Sequence, residues 1–346
     1  MSSNTLNPLV SDQIYDWVST HIQEKDFAVI QLAGDASARR YYRIVKDEKT
    51  WVLMSWEPFV EKDYPFLSVQ KHFAACQIQV PEIVAVGADQ GLLLLDDLGD
   101  LTLERKFWEQ STPEASFHFY QKTIDELIKI HDIATYSPVK STASILKFDT
   151  AKFLWEMDYA KEHLLLGLLK IKMSSETLQN LETMFTDFCS KLDQEPKVIC
   201  HRDYHSRNVM IRRDKVYVID FQDARLGPVQ YDLVSLFKDS YVDITDNYAK
   251  QLMNYYLDNS VARKAANYSV EHFNRVYELQ SLQRCFKACG SFASFMNSRQ
   301  DRRYLKYLIP TLKRVMKSLS HFPEYTLLQS LLLDAGALEK NYETLP

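Results

Sequence analysis

The spacing of apolar residues predicts a β-rich first part of the chain and a mostly helical second part. An apolar stripe of helical period opens the first part at 14–22. Short runs of strand character follow at 27–32, 41–45, 51–56, 82–86 and 92–95. A helical stretch at 64–76 interrupts them. Sequential strands joined by short turns, with a helix packed on them, predict a small antiparallel α+β lobe.

The second part begins after an acidic, glycine-containing step at 96–100, which is the candidate hinge. Beyond it the apolar period is helical over 114–134, 151–169, 175–193, 231–240, 244–258, 267–297 and 301–320. One island of short β-rich runs, 198–218, breaks this pattern. We therefore predict an α+β fold of two lobes, a small antiparallel-sheet N-terminal lobe at 1–97 and a larger, mainly helical lobe at 98–346.

Composition narrows the classes of function. The 346 residues suit two domains, and a net charge of −5 gives no overall attraction to nucleic acid or anionic lipid. Five cysteines without metal-ligand spacing predict reduced thiols. The N-terminus lacks a secretory pattern, and the most apolar run, 164–169, is too short to span a bilayer. We expect a soluble, cytoplasmic protein with no membrane, nucleic-acid or obligate protein partner.

A polar loop from His201 to Asn208 lies inside the β-rich island. Phosphoryl transfer needs a carboxylate that orients and deprotonates a hydroxyl, and oxygen ligands that hold Mg²⁺ on the phosphates. Asp203 would be the catalytic base, while Asn208 and Asp220 would offer a neutral and an anionic oxygen to the metal. The loop therefore predicts chemistry that uses ATP and Mg²⁺. The alternative is a polar surface hairpin that happens to carry acids.

The pattern H-R-D-x-x-x-x-N followed by I-D-F resembles the catalytic and metal-binding loops of the protein-kinase-like superfamily. With His205 inside the loop, it is most similar to the branch of aminoglycoside phosphotransferases and choline kinases. The resemblance implies a bilobal protein-kinase-like fold, a scaffolding His201, and a His205 that is structural or touches substrate. It also implies that Asp232 is a helix N-cap that braces the loop. Asp223 either assists the metal site or caps a turn.

A second motif, G-D-A-S-x-R-R-Y-x-R at 34–43, lies between two predicted strands. Its backbone N–H groups, its hydroxyl and its arginines suit phosphate binding, although a simple hairpin turn is equally compatible. This motif resembles that of bacterial kinases that phosphorylate the anomeric hydroxyl of N-acetylmuramic acid and N-acetylglucosamine. The segment 92–99 resembles the hinge of the same kinases. The resemblance implies these nucleotide-binding residues, with adenine held by the backbone of the last two: Gly34, Asp35, Ala36, Ser37, Arg39, Arg40, Asp97 and Leu98.

A late helix carries Gln280, Arg284 and Lys287 on one face. By resemblance this face could meet the acyl or lactyl group of a sugar, and a face that braces the lobes is the alternative. One departure concerns the third strand, where protein kinases have a phosphate-binding lysine and this chain has Met54. The cations near this position are Lys62, Arg39, Arg40 and Arg43.

The resemblance implies a kinase that transfers phosphate from ATP to an amino sugar in cell-wall recycling. Within the enzyme class, the alternative acceptor is an aminoglycoside, choline or another small alcohol, although Arg284 and Lys287 suit a neutral or anionic sugar better. A catalytically dead binding module is the alternative from another class, and the missing lysine motivates it. Retention of Asp203, Asn208 and Asp220 argues against that alternative.

Overall fold

The computed structural model describes residues 9–32, 39–110, 112–262 and 269–344. The predicted turn residues Gly34, Asp35, Ala36 and Ser37 lie outside this part of the chain. Within it, no helix has both the length and the apolar character that crossing a bilayer requires.

The first part of the chain forms a five-stranded sheet in which every neighbouring pair is antiparallel. The strand order is β1-β2-β3-β5-β4. The elements are α1 Asp12–Ile22, β1 Ala28–Gln31, β2 Arg40–Lys46, β3 Lys49–Ser55, α2 Pro65–Ala75, β4 Ile83–Gly87 and β5 Leu92–Asp96.

Other elements cover both faces of this sheet. Alternate side chains of a strand point to opposite sides, and here both sets of side chains are buried. Leu53 and Leu94 lie in a core cluster with Val18 of α1. Met54 and Leu93, one position away, lie in the main core with residues of α2. This burial on both faces explains why β5 reads as a continuous run of leucines.

The second part of the chain is mostly helical and contains two short two-stranded antiparallel sheets, β6 with β9 and the hairpin of β7 with β8. Wider π-helical turns continue α4 over Lys129–Ala134 and α5 over Lys161–Leu168. The elements are α3 Leu103–Glu109, α4 Phe117–Ile128, α5 Thr150–Ala160, α6 Ser175–Asp193, β6 Lys197–Cys200, β7 Val209–Arg212, β8 Lys215–Val218, β9 Arg225–Pro228, α7 Gln230–Phe237, α8 Asp246–Asn259, α9 Val270–Arg299, α10 Leu308–Leu319 and α11 Thr326–Asp334.

The strand register brings Asn208, at the end of the polar loop, close to the segment that precedes Asp220. β7 pairs Val209 with Val218, so the residues just outside this pair are neighbours. Ile219 N donates to Asn208 O at 3.0 Å. The hairpin therefore places Asn208 beside the segment that carries Asp220.

Most predicted elements are confirmed, and five details differ from the prediction. Helix α3, strand β9 and helix α11 were not predicted, and the helix expected at 301–320 begins only at Leu308. Asp232 is not an N-cap, because α7 begins at Gln230 and Asp232 lies in its first turn.

Candidate active site

Asp203 lies beneath two cations from α9. Its Oδ1 is 3.1 Å from Arg284 Nη2 and 3.5 Å from Lys287 Nζ. Burial disfavours the charged form of Asp203, but Lys287, Arg284 and Arg202 outweigh it and hold the pKa of this carboxyl well below its usual value. Asp203 is therefore ionised at neutral pH and available as a proton or hydrogen-bond acceptor.

Asn208 and Asp220 face each other at the open side of Asp203. Asn208 Nδ2 donates to Asp203 O at 2.9 Å and to Asp220 Oδ2 at 3.3 Å, so the nitrogen end of this amide is used within the loop and Oδ1 points away from it. Asp220 is exposed and has a φ of 64°. An amide oxygen and an exposed carboxylate are hard ligands of the kind that Mg²⁺ prefers, so these residues fit the metal.

Although Asp220 as a whole residue is exposed, the protein around its carboxyl raises the pKa of Asp220 by desolvation, and the nearby charge of Asp203 raises it further. Gln222 Nε2 donates to Asp220 Oδ1 at 2.7 Å and opposes this rise. Two carboxylates that repel each other in one cleft are a site where a divalent cation would be stabilising.

Buried acids hold the backbone of the polar loop. Asp232 accepts from His201 N at 2.7 Å and from Arg202 N at 3.0 Å, so it braces the loop from inside α7. Asp239 accepts from Ser206 N at 2.8 Å. Arg202 has a φ of 85°, a conformation that side chains with a Cβ rarely adopt, and these bonds help to hold it there.

His201 and Asp232 complete a structural network below the loop. His201 Nε2 hydrogen-bonds Ile219 O at 2.9 Å and ties the loop to the strand before Asp220. His131 lies 3.3 Å from Asp232 and 2.8 Å from Tyr256 Oη. Cys200 is close to His131 and Asp232 as well. Backbone N–H groups already occupy both oxygens of Asp232, so this cluster is structural and not a metal site.

A pocket that is partly open to solvent adjoins Asp203 between α7, the segment 238–241 and α9. Tyr241, Phe292 and Phe295 give it aromatic walls, and Arg284 and Lys287 lie at its Asp203 end. Such a mixture of aromatic surface and a few polar groups is typical of small-ligand sites.

His205 also lines this pocket. Its ring packs edge-on against Tyr241, with centroids 5.1 Å apart. Burial lowers the pKa of His205 to about 3, so the imidazole is neutral at neutral pH. A neutral ring suits a packing or hydrogen-bonding role rather than an ionic one.

The arginines of the first part of the chain have different surroundings. Arg43 pairs with Asp97 at 2.7 Å and with Asp100 at 2.9 Å, so it ties β2 to the hinge. Arg39 Cζ lies 6.0 Å from the Trp56 ring centroid. Arg40 opens β2 opposite Ser55.

The residues at the centre of the hinge and the residue in place of the lysine on the third strand are buried. Asp97 and Leu98 are buried, and Asp97 Oδ1 accepts from Gly99 N at 2.9 Å. Met54 is fully buried and lies opposite Tyr41 in the sheet. Met54 therefore packs in the core, where it cannot contact phosphate.

Sequence reasoning missed Glu156 and the role of Glu104. Glu156 is fully buried on α5 and accepts from Gln283 Nε2 at 2.9 Å. Glu104 binds Arg207 of the polar loop through two hydrogen bonds of 2.8 and 2.9 Å. The sequence carries no signal for either contact, because the partners lie more than 100 residues apart along the chain.

Comparison with known proteins gives a consistent result. A sequence model of the phosphotransferase enzyme family matches residues 28–268. An N-acetylmuramate/N-acetylglucosamine kinase of Pseudomonas putida is 30% identical over 308 residues, covering 88% of each chain. The protein of that name from Neisseria meningitidis serogroup B is 28% identical over 335 residues, covering 93% of this chain and 96% of the relative.

Among solved structures, an ADP-bound aminoglycoside phosphotransferase has the same fold. It aligns with a TM-score of 0.57 at 17% identity, covering 90% of this chain and 97% of the other. The predicted α+β fold of protein-kinase-like type is thereby confirmed, and the family match covers more than half of the chain. The chain belongs to the phosphotransferase enzyme family.

Proposed function

We propose that this phosphotransferase uses ATP and Mg²⁺ to phosphorylate the anomeric hydroxyl of N-acetylmuramic acid, N-acetylglucosamine or both, in cytoplasmic recycling of cell-wall sugars. The names of relatives at 28–30% identity support the substrate class. The observation that carries the proposal is the position of Asp203, which adjoins Asn208 and Asp220 on one side and an aromatic pocket on the other. A nucleotide and a sugar can thus meet at one carboxylate.

In this proposal the lobe at 1–97 binds the nucleotide and the lobe at 98–346 binds the acceptor and carries the catalytic groups. The turn Gly34, Asp35, Ala36 and Ser37, together with Arg39 and Arg40, contacts the phosphates, and the backbone of Asp97 and Leu98 holds adenine. Asn208 and Asp220 hold Mg²⁺, which supplies charge neutralisation on the phosphates when bound.

Asp203 orients the acceptor hydroxyl and takes its proton at a carboxylate oxygen. Arg284 and Lys287 hold that carboxylate in place and, with His205, contribute to the acceptor pocket. Aromatic walls such as Tyr241 and Phe292 suit the C–H faces of a sugar ring. The cations at the Asp203 end disfavour a polycationic aminoglycoside by like-charge repulsion.

A coupled assay for ADP release, run with a panel of amino sugars, choline and aminoglycosides, tests this function directly. We expect turnover with the two N-acetylated sugars, and NMR should place the product phosphate on the anomeric oxygen. Turnover only with choline or an aminoglycoside would contradict the proposal. Absence of both turnover and ATP-dependent thermal stabilisation would favour the dead module.

The Asp203→Asn variant tests the role of the base. We expect turnover to fall by about 10²–10⁴-fold, the usual effect of losing a positioned base, while ATP still stabilises the folded protein. Asp47→Asn is the matched control, because Asp47 is exposed in the β2–β3 turn, and its φ of 52° is tolerated by Asn. Wild-type turnover in Asp203→Asn would remove Asp203 from its proposed role.

A further inference from the structure

Four cations converge on the α5 side of Asp203, and we call them the basic cluster: Lys152, Arg202, Arg225 and Lys287. They come from α5, the polar loop, β9 and α9, so residues remote in sequence assemble the cluster. Three of them are mostly buried, with side-chain exposures of 15% for Arg202, 11% for Arg225 and 15% for Lys287. Gathering partly buried like charges is unfavourable unless anions balance them.

The carboxylates that face the cluster are shared between several cations. Asp223 lies 3.2 Å from Arg202 and 3.6 Å from Arg225. Glu156 lies 3.5 Å from Arg202 and also accepts from Gln283.

Asp203 is shared between Arg284 and Lys287. Including Arg284, five cations therefore face three carboxylates. The surplus positive charge lies beside the catalytic carboxylate, where an acceptor would bind.

Lys152 lies at the edge of the cluster. Its Nζ is 3.7 Å from the ring centroid of Trp155, and among the described residues no carboxylate is in ion-pair distance of it. Trp155 itself is 54% exposed. Burial lowers the pKa of Lys152, the charge of Glu156 opposes this, and the charges of Arg202, Arg225 and Lys287 lower the pKa further. An anion bound here would relieve this repulsion.

Lys287 connects the cluster to the acceptor pocket, because it lines the pocket and pairs with Asp203. Its single ion pair, at 3.5 Å, leaves donors of the ammonium group for another oxygen. An acceptor hydroxyl at Asp203 would thus lie beside Lys287, the member of the basic cluster that lines the acceptor pocket.

We propose that the basic cluster is a carboxylate subsite, so that the enzyme prefers an amino sugar with an acidic substituent over the neutral sugar. This inference rests on the proposed function and chooses between its two substrates. N-acetylmuramic acid, which carries a carboxylate on its lactyl group, has the chemistry that the cluster recognises. N-acetylglucosamine lacks that group.

The other anion that could use these cations is the transferring phosphoryl group of ATP. The two uses predict different results with matched acceptors. The methyl ester of N-acetylmuramic acid has nearly the same shape as the acid but no charge. If these cations contact the phosphoryl group, replacing one of them should lower activity on all acceptors alike. If they form a carboxylate subsite, the replacement should lower activity only on the acid.

The test compares kcat/KM of the full-length protein and its Lys152→Met and Arg225→Met variants on the acid, its methyl ester and N-acetylglucosamine. A charge-assisted hydrogen bond to a carboxylate accounts for roughly 10- to 100-fold, so each variant should lose about that much on the acid. On the two neutral acceptors the change should stay below about 3-fold. Lys172→Met, at an exposed lysine of the same lobe, should change none of them.

Equal losses on the charged and neutral acceptors would overturn the subsite and assign the cations to phosphate. Unchanged activity on the acid in Lys152→Met and Arg225→Met would overturn it as well. If Arg225→Met fails to fold because Asp223 loses one of its two partners, Lys152→Met alone decides the result. Failure of the proposed function looks different, because the wild-type protein would then phosphorylate none of the three sugars.

Discussion

Arg39 is the described residue best placed to replace the lysine that the third strand lacks. Burial raises the pKa of Tyr41 and Tyr64, and Arg39 beside both hydroxyls opposes the rise. The charge of Asp220 also raises the pKa of Tyr41, so Tyr41 lies within electrostatic range of this candidate metal ligand. Tyr41 lies opposite Met54 in the sheet. Arg39 thus brings a cation near the position that Met54 leaves uncharged.

We predict that Arg39→Met raises the KM for ATP by roughly 10- to 100-fold, the contribution of one charged hydrogen bond to phosphate. Arg40→Met is the matched control on the next residue, and its KM should change less than about 3-fold. Steady-state kinetics at saturating acceptor measures both. The reverse ranking of the two variants would assign the phosphate contact to Arg40.

His205 gives the folded protein a defined sensitivity to acid. Its pKa is about 3 in the folded protein, because of burial, and about 6.5 in the unfolded chain. Below pH 6.5 the unfolded chain takes up a proton that the folded protein does not, so the free energy of unfolding falls as the pH decreases from 6.5 towards 3. At pH 5 this contribution amounts to about 2 kcal/mol.

Between pH 7.5 and pH 5, we therefore predict that the free energy of unfolding falls by up to about 2 kcal/mol less in His205→Gln than in the wild-type protein. Urea unfolding at the two pH values measures the difference. His321→Gln, at an exposed histidine, is the control and should retain the wild-type pH dependence. An identical acid response in His205→Gln and wild type would show that this imidazole is not held neutral.

At the scale of elements, the crossing of α5 and α9 positions the cations of the site. A Cβ at Gly290 would lie 2.4 Å from Ala160 Cα and 2.6 Å from Ala160 Cβ, so the helices approach closely only because position 290 has no side chain. Lys287 and Arg284 lie one and two turns before this contact on α9. Their distance to Asp203 therefore depends on the crossing.

Gly290→Ala should destabilise the protein by about 1–3 kcal/mol, because overpacking against the backbone of Ala160 outweighs the better helix propensity of alanine. Urea unfolding measures the loss, and kcat/KM should fall with it as α9 shifts. Asn274→Ala, at an exposed position of α9, should stay within about 0.5 kcal/mol of wild type. If Gly290→Ala left the free energy of unfolding unchanged, the two helices would have room to separate.

Sequence reasoning predicted those elements whose apolar period is long enough to recognise. The helix predicted at 175–193 has the observed bounds of α6. Helix α3 was missed because its seven residues cover only two turns, and β9 because it contains Gly227 and Pro228, which are unusual in strands. Asp232 was assigned to the wrong helix position, since the cap lies at Val229, which has no capping side chain.

The candidate site was predictable where one motif contains its residues. Asp203, Asn208 and Asp220 lie within 18 positions, and a loop and a hairpin bring them together. The ion pairs of Asp203 with α9 join residues 81 and 84 positions apart, and only the packing of the helices decides them. Sequence reasoning named Arg284 and Lys287 for substrate, but it gave no reason to place them on the carboxylate of Asp203.

At the scale of the whole molecule, ion pairs and hydrogen bonds join the lobes around the hinge. Arg212 of β7 pairs with Asp96 at 2.5 Å, and Ile211 N donates to Leu101 O at 2.7 Å. On the sheet side, Arg43 holds Asp97 and Asp100. The hairpin with Asn208 at its edge is therefore fastened to the segment proposed to hold adenine.

Arg43→Met should lower the free energy of unfolding by about 1–3 kcal/mol, because it leaves the buried carboxylate of Asp97 without its cation. The KM for ATP should rise with it, as the hinge backbone loses its tether. Lys71→Met, which breaks the exposed pair with Glu61, is the control and should cost at most about 1 kcal/mol. Equal stability losses in the two variants would show that the hinge pair is as weak as a surface pair.

Under the proposed function, the two cations that hold Asp203 would also affect the hydrolysis of ATP that is bound without a sugar. A water molecule in the acceptor position would need a base, and Lys287 and Arg284 keep the pKa of Asp203 well below its usual value. Under the proposed function, Asp203 would then be a weak base towards water, and we expect slow hydrolysis of ATP without a sugar. In the proposed complex, the acidic sugar shares Lys287, which strengthens Asp203 as a base. Binding of the acidic sugar would thereby make Asp203 a stronger base for the proton of the sugar hydroxyl.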